Sequence, residues 1–299
     1  MTITKIRIGT RKSPLALAQA EEVARRLKAT WPELSVELVK ITTSGDRFSE
    51  RRLADIGGKG LFTKEIEEAL LEKSIDIAVH SMKDMPTVLP EGLTIACMLP
   101  REDVRDMLVG EGFRSLADLQ EGAHVGTSSL RRAVQIKLLR PDVQVVPFRG
   151  NVGTRLEKLK AGKADATLLA VAGLNRLGMM ELPGVVLELE ECLPAVAQGA
   201  VGVECREDND EVLRLLEPLN DAETAIAVSC ERAFLKVLDG SCRTPIAGYA
   251  FLHGRTLILQ GLKANLDGSD CQRIKMDGDV KDAEALGKEA AEVLHKKFI

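Results

Sequence analysis

The sequence repeats one strand-to-helix pattern, and this repeat constrains the fold more than any other feature. The segment Ile8-Gly-Thr-Arg-Lys-Ser13 has a counterpart, Val125-Gly-Thr-Ser-Ser129, 117 positions further along. In both segments, a short apolar run is followed by a serine that can cap a helix. Residues 58–76 are echoed in the same way by 150–165. Alternating strands and helices indicate an α/β fold. We therefore predict two related βα units of about one hundred residues each, facing each other across a cleft.

Local signals place the elements of the first unit. The pattern predicts a strand over 5–10 and a helix over 14–30, because Ser13 is a good N-cap and Pro14 suits the first helical position. Residues 43–60 carry polar residues and glycine without periodicity, which is typical of a lid or a disordered loop. The other elements predicted here are a strand over 36–42, a helix over 61–73 and a strand over 75–79.

The last part of the chain follows a different plan. An apolar stretch over 193–204 suits a strand that returns between the halves. After it, the patterns predict helices over 210–216, 222–238 and 282–297, with strands over 246–251, 256–262 and 271–276. These elements form a C-terminal α+β module of about 80 residues.

Composition narrows the class of function. A chain of 299 residues with 45% hydrophobic and 29% charged residues is typical of a globular protein of two or three domains. The net charge of −4 provides no field to attract nucleic acid or an acidic membrane, and aromatic residues, at 3%, are too scarce for base-stacking platforms. Any anion site must therefore be local.

The chain shows no targeting or metal-binding pattern. Its first residues lack an apolar signal region, and no apolar run reaches membrane-spanning length. The six cysteines include no Cys-x-x-Cys pair, and the four histidines lie far apart. We therefore predict a cytoplasmic protein with reduced thiols, no metal site and no membrane partner. Cys97, Cys192 and Cys205 stand among apolar neighbours and are predicted to be core.

A polar cluster follows the predicted strand 75–79. His80, Ser81, Lys83 and Asp84 come within five positions, before Pro86. In open α/β sheets, ligands bind beyond the carboxyl ends of the strands. Asp84 could there stabilise a cation or move a proton, with Lys83 beside it. A solvated turn is the alternative interpretation.

Arginines mark the start or end of predicted elements. They are Arg11, Arg131, Arg132, Arg149, Arg155 and Arg176, with Arg131 and Arg132 in the first turn of the helix capped by Ser129 and Arg149 at the end of a strand. Cations are unfavourable in a first helical turn, and the planar guanidinium group binds both oxygens of a carboxylate. We predict a polycarboxylate ligand rather than a nucleotide, because Gly57-Gly-Lys-Gly60 lacks the Ser or Thr of a phosphate loop. For any single arginine, a surface position is the alternative.

Cys242 differs from the other cysteines. It stands in a Gly-Ser-Cys turn before Pro245, between a predicted helix and a predicted strand, so its thiol should be accessible. No histidine lies close in sequence to act as its base, which argues against a protease-like nucleophile. A free loop cysteine is an equally good interpretation of the pattern.

Together these segments resemble the porphobilinogen deaminase (hydroxymethylbilane synthase) family. The similarity runs from end to end and is carried by Gly9-Thr-Arg-Lys-Ser-Pro-Leu-Ala, Gly57-Gly-Lys-Gly-Leu-Phe, Ala78-Val-His-Ser-Met-Lys-Asp, Val125-Gly-Thr-Ser-Ser-Leu-Arg-Arg, Arg149-Gly-Asn-Val-Gly-Thr-Arg and Gln198-Gly-Ala-Val-Gly. The resemblance implies two α/β domains like those of periplasmic binding proteins and a small C-terminal α+β domain. The implied boundaries are 1–99 with 200–218, then 100–199, then 219–299.

The resemblance also implies roles for individual residues. Cys242 would hold a dipyrromethane cofactor, made from the enzyme's own substrate, through a thioether. Asp84 would be the catalytic residue, a buried carboxylate that stabilises an azafulvenium cation and moves protons. The implied binders of cofactor and substrate are Lys83, Thr127, Ser129, Arg131, Arg132, Arg11, Ser13, Arg149, Arg155, Arg176 and the lid residue Lys59. The pattern departs from the family at Ser241 and Arg243, beside Cys242, and at Asp55 in the lid.

The implied activity is that of a monomeric transferase of porphyrin and heme biosynthesis. It would join four porphobilinogen molecules head to tail, with loss of ammonia, into the linear tetrapyrrole hydroxymethylbilane, without metal or external coenzyme. Two other classes fit parts of the sequence. The first is a non-catalytic two-lobed binding protein for a carboxylated solute, but the expected absence of a signal peptide speaks against a periplasmic receptor, and such a protein does not need the C-terminal module with Cys242. The second is a regulatory effector-binding protein, which needs a DNA-binding element that the sequence lacks.

Overall fold

The computed structural model describes residues 3–47, 62–238 and 244–297. These residues form two compact units. The first contains 3–47, 62–102 and 200–225, and the second contains 103–199, 226–238 and 244–297. Several residues singled out from the sequence lie outside the described residues, namely Lys59, Asp55, Ser241, Cys242, Arg243 and most of the predicted lid. The division into three domains stays a prediction.

The first unit is built on a five-stranded mixed sheet. With strands numbered along the chain, its members are β1 (Lys5–Arg11), β2 (Ser35–Ile41), β3 (Ile77–Ser81), β4 (Leu93–Met98) and β10 (Val201–Arg206). Their order is β2-β1-β3-β10-β4. Strand β1 runs parallel to β2 and β3, whereas β10 runs antiparallel to β3 and β4. Helices of this unit are α1 (Pro14–Thr30), α2 (Ser44–Arg47), α3 (Lys64–Leu71) and α7 (Asp210–Leu216).

Both faces of this sheet are buried. On one face, Ile8, Val79 and Val203 pack with Val23 and Leu27 of α1. On the other, a cluster of Ile66, Leu70, Ile75, Ala78 and Leu93 joins the sheet to α3. Successive strand residues point to opposite faces, so Val79 and Ala78 enter different clusters.

Helix α1 has the bounds that the sequence predicts. Its N-cap, Ser13, accepts a hydrogen bond from the backbone N–H of Ala16 at 3.3 Å, and Pro14 occupies the first helical position. Such caps satisfy donors that the first turn leaves free. The predicted helix over 14–30 is confirmed.

The second unit contains a sheet of the same topology. Its strands are β5 (Asp106–Gly110), β6 (His124–Gly126), β7 (Gln144–Val146), β8 (Ala166–Ala170) and β9 (Gly184–Val186), in the order β7-β6-β8-β5-β9. In each sheet a parallel trio is followed by an antiparallel strand, β10 in the first sheet and β5 in the second. The predicted repeat of two α/β units is therefore confirmed. The helices beside the second sheet are α4 (Leu130–Leu139), α5 (Val152–Lys160) and α6 (Val171–Arg176).

The second unit also contains the predicted C-terminal α+β module. Its antiparallel strands are β11 (Ile246–His253), β12 (Thr256–Ala264) and β13 (Cys271–Asp279). Its helices are α8 (Ala222–Val237), which belongs to this unit from Ile226 onwards, and α9 (Ala283–Lys297). Residues Ala247 and Leu262 of this sheet share a buried cluster with Val134 of α4. The predicted fold class, two α/β sheets and a small α+β part, is confirmed.

Some predicted boundaries are wrong. Strand β3 continues through His80 and Ser81, two polar residues whose side chains have partners in the unit. Ser44–Arg47 is helical within the predicted loop. The return segment 193–204 is a strand only from Val201 onwards. The sequence patterns also predict no strand over β5, although it lies within the second sheet.

A buried glutamate of α8 holds two backbone segments of the second unit. The two carboxylate oxygens of Glu231, whose side chain is fully buried, accept hydrogen bonds from the N–H groups of Ala197 and Ala250, at 2.5 and 2.8 Å. Ala197 has a φ of +60°, a conformation that costs a non-glycine residue roughly 1 kcal/mol. Glu231 therefore stabilises a strained position within the return segment 193–204.

We expect Glu231→Gln to lower the free energy of unfolding by about 2 kcal/mol, because an amide group presents one N–H where two backbone donors need acceptors. Urea unfolding followed by circular dichroism measures the change. Glu223→Gln, on the exposed first turn of the same helix, is the matched control and should change it by less than about 0.5 kcal/mol. Equal urea midpoints for Glu231→Gln and the parent would contradict the stabilising role of Glu231.

Candidate active site

A cavity of about 60 Å³ in the first unit brings together several of the predicted site residues. Arg11, Ser13, His80, Ser81 and Asp84 line it. Arg11 is the last residue of β1 and Ser81 is the last of β3, and these strands are parallel neighbours. The carboxyl ends of parallel strands meet at one edge of a sheet, which is where ligands bind in this class of fold.

Asp84 lies just beyond the sheet. It closes a 3-10 turn, Met82–Asp84, which follows β3 directly. The turn is fixed by hydrogen bonds from Met82 N–H to the carbonyl of Ala200 and from Met85 N–H to the carbonyl of Met82. Although Asp84 lines the cavity, its side chain is exposed, as is that of Lys83. The expectation of a buried carboxylate is therefore wrong, because the turn carries Asp84 out of the packed layer.

Arg11 and the nearby hydroxyl groups have defined surroundings. The guanidinium carbon of Arg11 lies 4.3 Å from the centroid of the Phe62 ring, a cation–π contact that holds the charge at the cavity. The hydroxyl of Ser13 accepts from α1, as described above. The hydroxyl of Ser81 accepts a hydrogen bond from the amide of buried Gln19 at 2.9 Å. These contacts fix the polar part of the cavity wall.

In the second unit, two predicted anion binders share one carboxylate. Asp106, the first residue of β5, is fully buried. Its oxygens accept hydrogen bonds from Arg131 Nη2 at 2.8 Å and from Arg132 Nη2 and Nε at 2.6 and 3.1 Å. Gln198 Nε2 adds a further bond at 2.9 Å. Arg131 and Arg132 are each only 6% exposed.

Counted over the described residues, the charges of this cluster do not balance. Burial alone would raise the pKa of Asp106, but Arg132 and Arg131 outweigh it and hold that pKa far below its usual range. Asp106 is therefore a carboxylate, and two buried guanidinium groups against one carboxylate leave one positive charge. Buried charge is costly unless it is paired. A carboxylate ligand is the partner that this cluster can accept.

Asp106 is the site residue that the sequence patterns do not predict. The available signal is a charged residue immediately before the apolar run Met107–Val109. A buried strand that starts with a carboxylate needs cationic partners, and Arg131 and Arg132 were the candidates.

Thr127 and Ser129 support the start of α4. The Thr127 hydroxyl accepts a hydrogen bond from the N–H of Ser129 at 3.1 Å, and the Ser129 hydroxyl accepts from the N–H of Arg132 at 3.5 Å. These bonds are local, and they fix the backbone from which Arg131 and Arg132 extend.

The other three predicted arginines are half-buried in the second unit. Arg155 Nε donates to the carbonyl of Gly150 at 3.0 Å, and Arg176 Nη2 donates to the carbonyl of Gly199 at 3.2 Å. Arg149 does not end a strand as predicted, since β7 ends at Val146. Gly150, with a φ of +115°, is required there because a Cβ would come within 2.6 Å of the Thr154 side chain.

The described residues contain neither a metal-binding cluster nor a membrane-spanning helix. Across residues 3–47, 62–238 and 244–297, three or more His, Cys, Asp or Glu side chains are nowhere grouped so that they could hold a metal ion. Among the helices described above, none is long and apolar enough to cross a membrane.

Two protein-family models match this chain. The model described as "Porphobilinogen deaminase, dipyromethane cofactor binding domain" matches residues 6–214, and the model of the C-terminal domain of the same enzyme matches residues 225–296. The matched chain thus carries a domain of the class that binds a dipyrromethane cofactor. The chain belongs to the porphobilinogen deaminase family, as its motifs predict.

Individual relatives agree with this assignment. The porphobilinogen deaminase of Paracoccus denitrificans is 54% identical, with 97% of this chain and 93% of that protein covered. That of Syntrophotalea carbinolica is 51% identical over 98% of this chain and 93% of its own length. The chloroplastic enzyme of Oryza sativa subsp. japonica is 53% identical over 99% and 84%.

Solved structures give a more distant likeness. The periplasmic aliphatic sulphonate binding protein SsuA from Escherichia coli matches with a TM-score of 0.43 and 16% identity, over 79% of this chain and 70% of that one.

Proposed function

We propose that this chain is a transferase that joins four porphobilinogen molecules into a linear tetrapyrrole on a dipyrromethane primer bound through Cys242. Membership of the family makes it an enzyme of tetrapyrrole synthesis. The observation that carries the proposed mechanism is the uncompensated positive charge of Arg131 and Arg132 within the cofactor-binding domain.

The residues of the second unit fit the cofactor. A dipyrromethane made from porphobilinogen carries carboxylate side chains, and the buried pair Arg131 and Arg132 has one charge to offer to a carboxylate. Thr127 and Ser129 fix the helix start that carries this pair. When bound, the dipyrromethane supplies the free pyrrole carbon to which the first substrate unit is joined. Arg149, Arg155 and Arg176 are proposed to bind further carboxylates of cofactor and substrate.

Asp84 is proposed as the catalytic carboxylate. Loss of ammonia from porphobilinogen leaves a cation on the substrate, and a carboxylate at the cavity stabilises that charge as it develops. The carboxylate can then take the proton that the pyrrole ring loses when the carbon–carbon bond forms. Arg11 and Ser13 line the same cavity and are proposed to orient a substrate carboxylate, with Lys83 and Lys59 as further polar contacts.

The other cysteines support Cys242 as the attachment site. Cys97, Cys192, Cys205 and Cys230 are buried, and burial raises the pKa of their thiols to between about 11 and about 12. The thiolate is the nucleophile, so these four are poor candidates for forming a thioether. The prediction that Cys97, Cys192 and Cys205 are core is confirmed.

The remaining proposals concern partners and location. We propose that the enzyme acts as a cytoplasmic monomer on a small molecule, without nucleic acid or membrane. The net charge of −4 supports this, because it gives no attraction to polyanionic surfaces.

Intact-protein mass spectrometry tests the attachment. The purified parent should carry an adduct with the mass of two pyrrole units, and Cys242→Ala should lack it. Cys271→Ala, which removes a half-buried thiol of the same module, is the matched control and should keep the adduct. A parent without the adduct would favour a binding protein, and an adduct that persists in Cys242→Ala would place the attachment elsewhere.

A further inference from the structure

Among the described residues, three buried oxygen atoms around the start of α3 and on β10 have no partner within hydrogen-bond geometry. They are Thr63 Oγ1, Glu67 Oε1 and Glu204 Oε1. Thr63 precedes α3, Glu67 lies on α3, and Glu204 lies on β10 and is fully buried. Each unsatisfied buried polar group costs roughly 1–3 kcal/mol, so a cluster of three needs an explanation.

The same cluster contains an imidazole. His80 Nε2 lies 2.9 Å from Glu204 Oε2, and both side chains are almost fully buried. Both belong to the face of the sheet that α3 covers, since His80 is two residues from Ala78, whose partner in the register is Glu204. Glu67 is buried on α3, which covers this face, and it interacts electrostatically with Glu204 and His80.

The cluster reaches the proposed catalytic cavity. His80 and Thr63 line the cavity that Asp84 lines. Glu204 contacts His80. Glu67 lies one helical turn after Thr63, and its N–H donates a hydrogen bond to the Thr63 carbonyl at 2.8 Å. A chain of ionisable groups therefore runs from the cavity wall into the core.

The charges facing Glu67 favour a retained proton. Burial raises the pKa of Glu67, and it outweighs the hydrogen bond with Thr63, which lowers that pKa. The carboxylate of Glu204 raises the pKa further, and His80 lowers it. Glu68, on the same helix, is exposed. Arg206 of β10 donates instead to the carbonyls of Leu70 and Ile75, at 2.7 and 3.1 Å. Burial and the neighbouring carboxylate therefore favour the protonated form of Glu67.

We propose that Glu67, Glu204 and His80 form a proton relay behind Asp84, which accepts the proton released in each condensation and returns it. The inference rests on the proposed role of Asp84. In each round the carbon–nitrogen bond of the protonated aminomethyl group breaks and releases ammonia, a carbon–carbon bond forms, and the pyrrole carbon–hydrogen bond breaks and releases one proton. The released proton passes from Asp84 to the relay, and finally to the departing ammonia, which leaves as ammonium. Protons therefore balance, and Asp84 is a free carboxylate before the next round.

Glu67→Gln tests the relay, because it removes one ionisable group and keeps the side-chain volume. We expect turnover to fall about 10-fold or more with an intact cofactor, an unchanged KM and a larger solvent deuterium isotope effect on kcat. Added formate, a small proton carrier, should restore turnover at least partly in this variant and leave the parent unchanged. Glu68→Gln, one position along the same helix, should behave as the parent.

The stability of the variants should depend on pH with a defined sign. A carboxyl group whose pKa is raised by folding favours the folded state at low pH and loses that contribution as the pH rises through the raised pKa. Glu67→Gln has no such contribution to lose as the pH rises. The melting temperature of Glu67→Gln minus that of the parent should therefore be larger at pH 8 than at pH 5. A constant difference between the two pH values would contradict a retained proton on Glu67.

A second variant keeps the test decisive if Glu67→Gln folds poorly. Glu204→Gln keeps an acceptor for His80 and should show the same isotope effect and the same rescue by formate. Normal turnover without rescue in either folded variant overturns the relay. Asp84→Asn, measured in parallel, separates the two ideas: an inactive Asp84→Asn beside a normal Glu67→Gln removes the relay alone, whereas an active Asp84→Asn removes the role of Asp84.

Discussion

Asp84→Asn is expected to fold normally, to keep its cofactor and to lose turnover by about 100-fold or more. The amide carries no charge to stabilise the cation and cannot accept the pyrrole proton. Since Asp84 is exposed at the end of the 3-10 turn, the substitution removes no buried contact. Its effect should therefore appear in catalysis and not in stability.

Steady-state formation of the tetrapyrrole, measured with the mass of the protein and its melting temperature, checks this expectation. Glu91→Gln neutralises another exposed carboxylate of the same unit and serves as the control. If Asp84→Asn turned over at a rate close to that of Glu91→Gln, Asp84 would have no part in the reaction.

Arg131→Leu and Arg132→Leu are expected to abolish loading of the cofactor. Each removes the single positive charge that the cluster offers to a carboxylate, because Asp106 cancels the arginine that remains. Each substitution also breaks a buried ion pair with Asp106, at a cost of about 3–5 kcal/mol. Loss of cofactor and loss of stability must therefore be separated.

A double variant separates them. Arg132→Leu combined with Asp106→Asn leaves Arg131 without a buried carboxylate, so it should still offer one positive charge and should load more cofactor than Arg132→Leu alone. Lys137→Leu removes an exposed cation from the same helix and should load fully. The adduct mass and the urea midpoint of each protein are the measurements. Full loading of folded Arg131→Leu and Arg132→Leu would contradict the anion site.

The parts of the fold that local signals determine were predictable. Helix α1 has its expected bounds because Ser13 and Pro14 mark its start and its apolar spacing sets its length. The repeat is visible because both copies need the same capped turn after a strand.

The parts that depend on distant partners were not predictable. Asp106 is a site residue because it accepts hydrogen bonds from arginines 25 and 26 positions away. No local sequence pattern predicts such a contact. The exposure of Asp84 follows from the direction in which a three-residue turn leaves the sheet. The end of β3 was placed too early, because His80 and Ser81 are polar residues whose buried partners, Glu204 and Gln19, lie elsewhere in the chain.

Strand β10 lies between β3 and β4 and is supplied by Val201–Arg206. A ribosome that makes this chain from its N-terminus therefore releases β1 to β4 long before their missing neighbour. At about 5–20 residues per second, the hundred residues from β4 to β10 take roughly 5–20 s, during which the inner edges of β3 and β4 are open to wrong pairing. The order of the strands therefore requires that the open edges of β3 and β4 be protected from wrong pairing while the chain is being made.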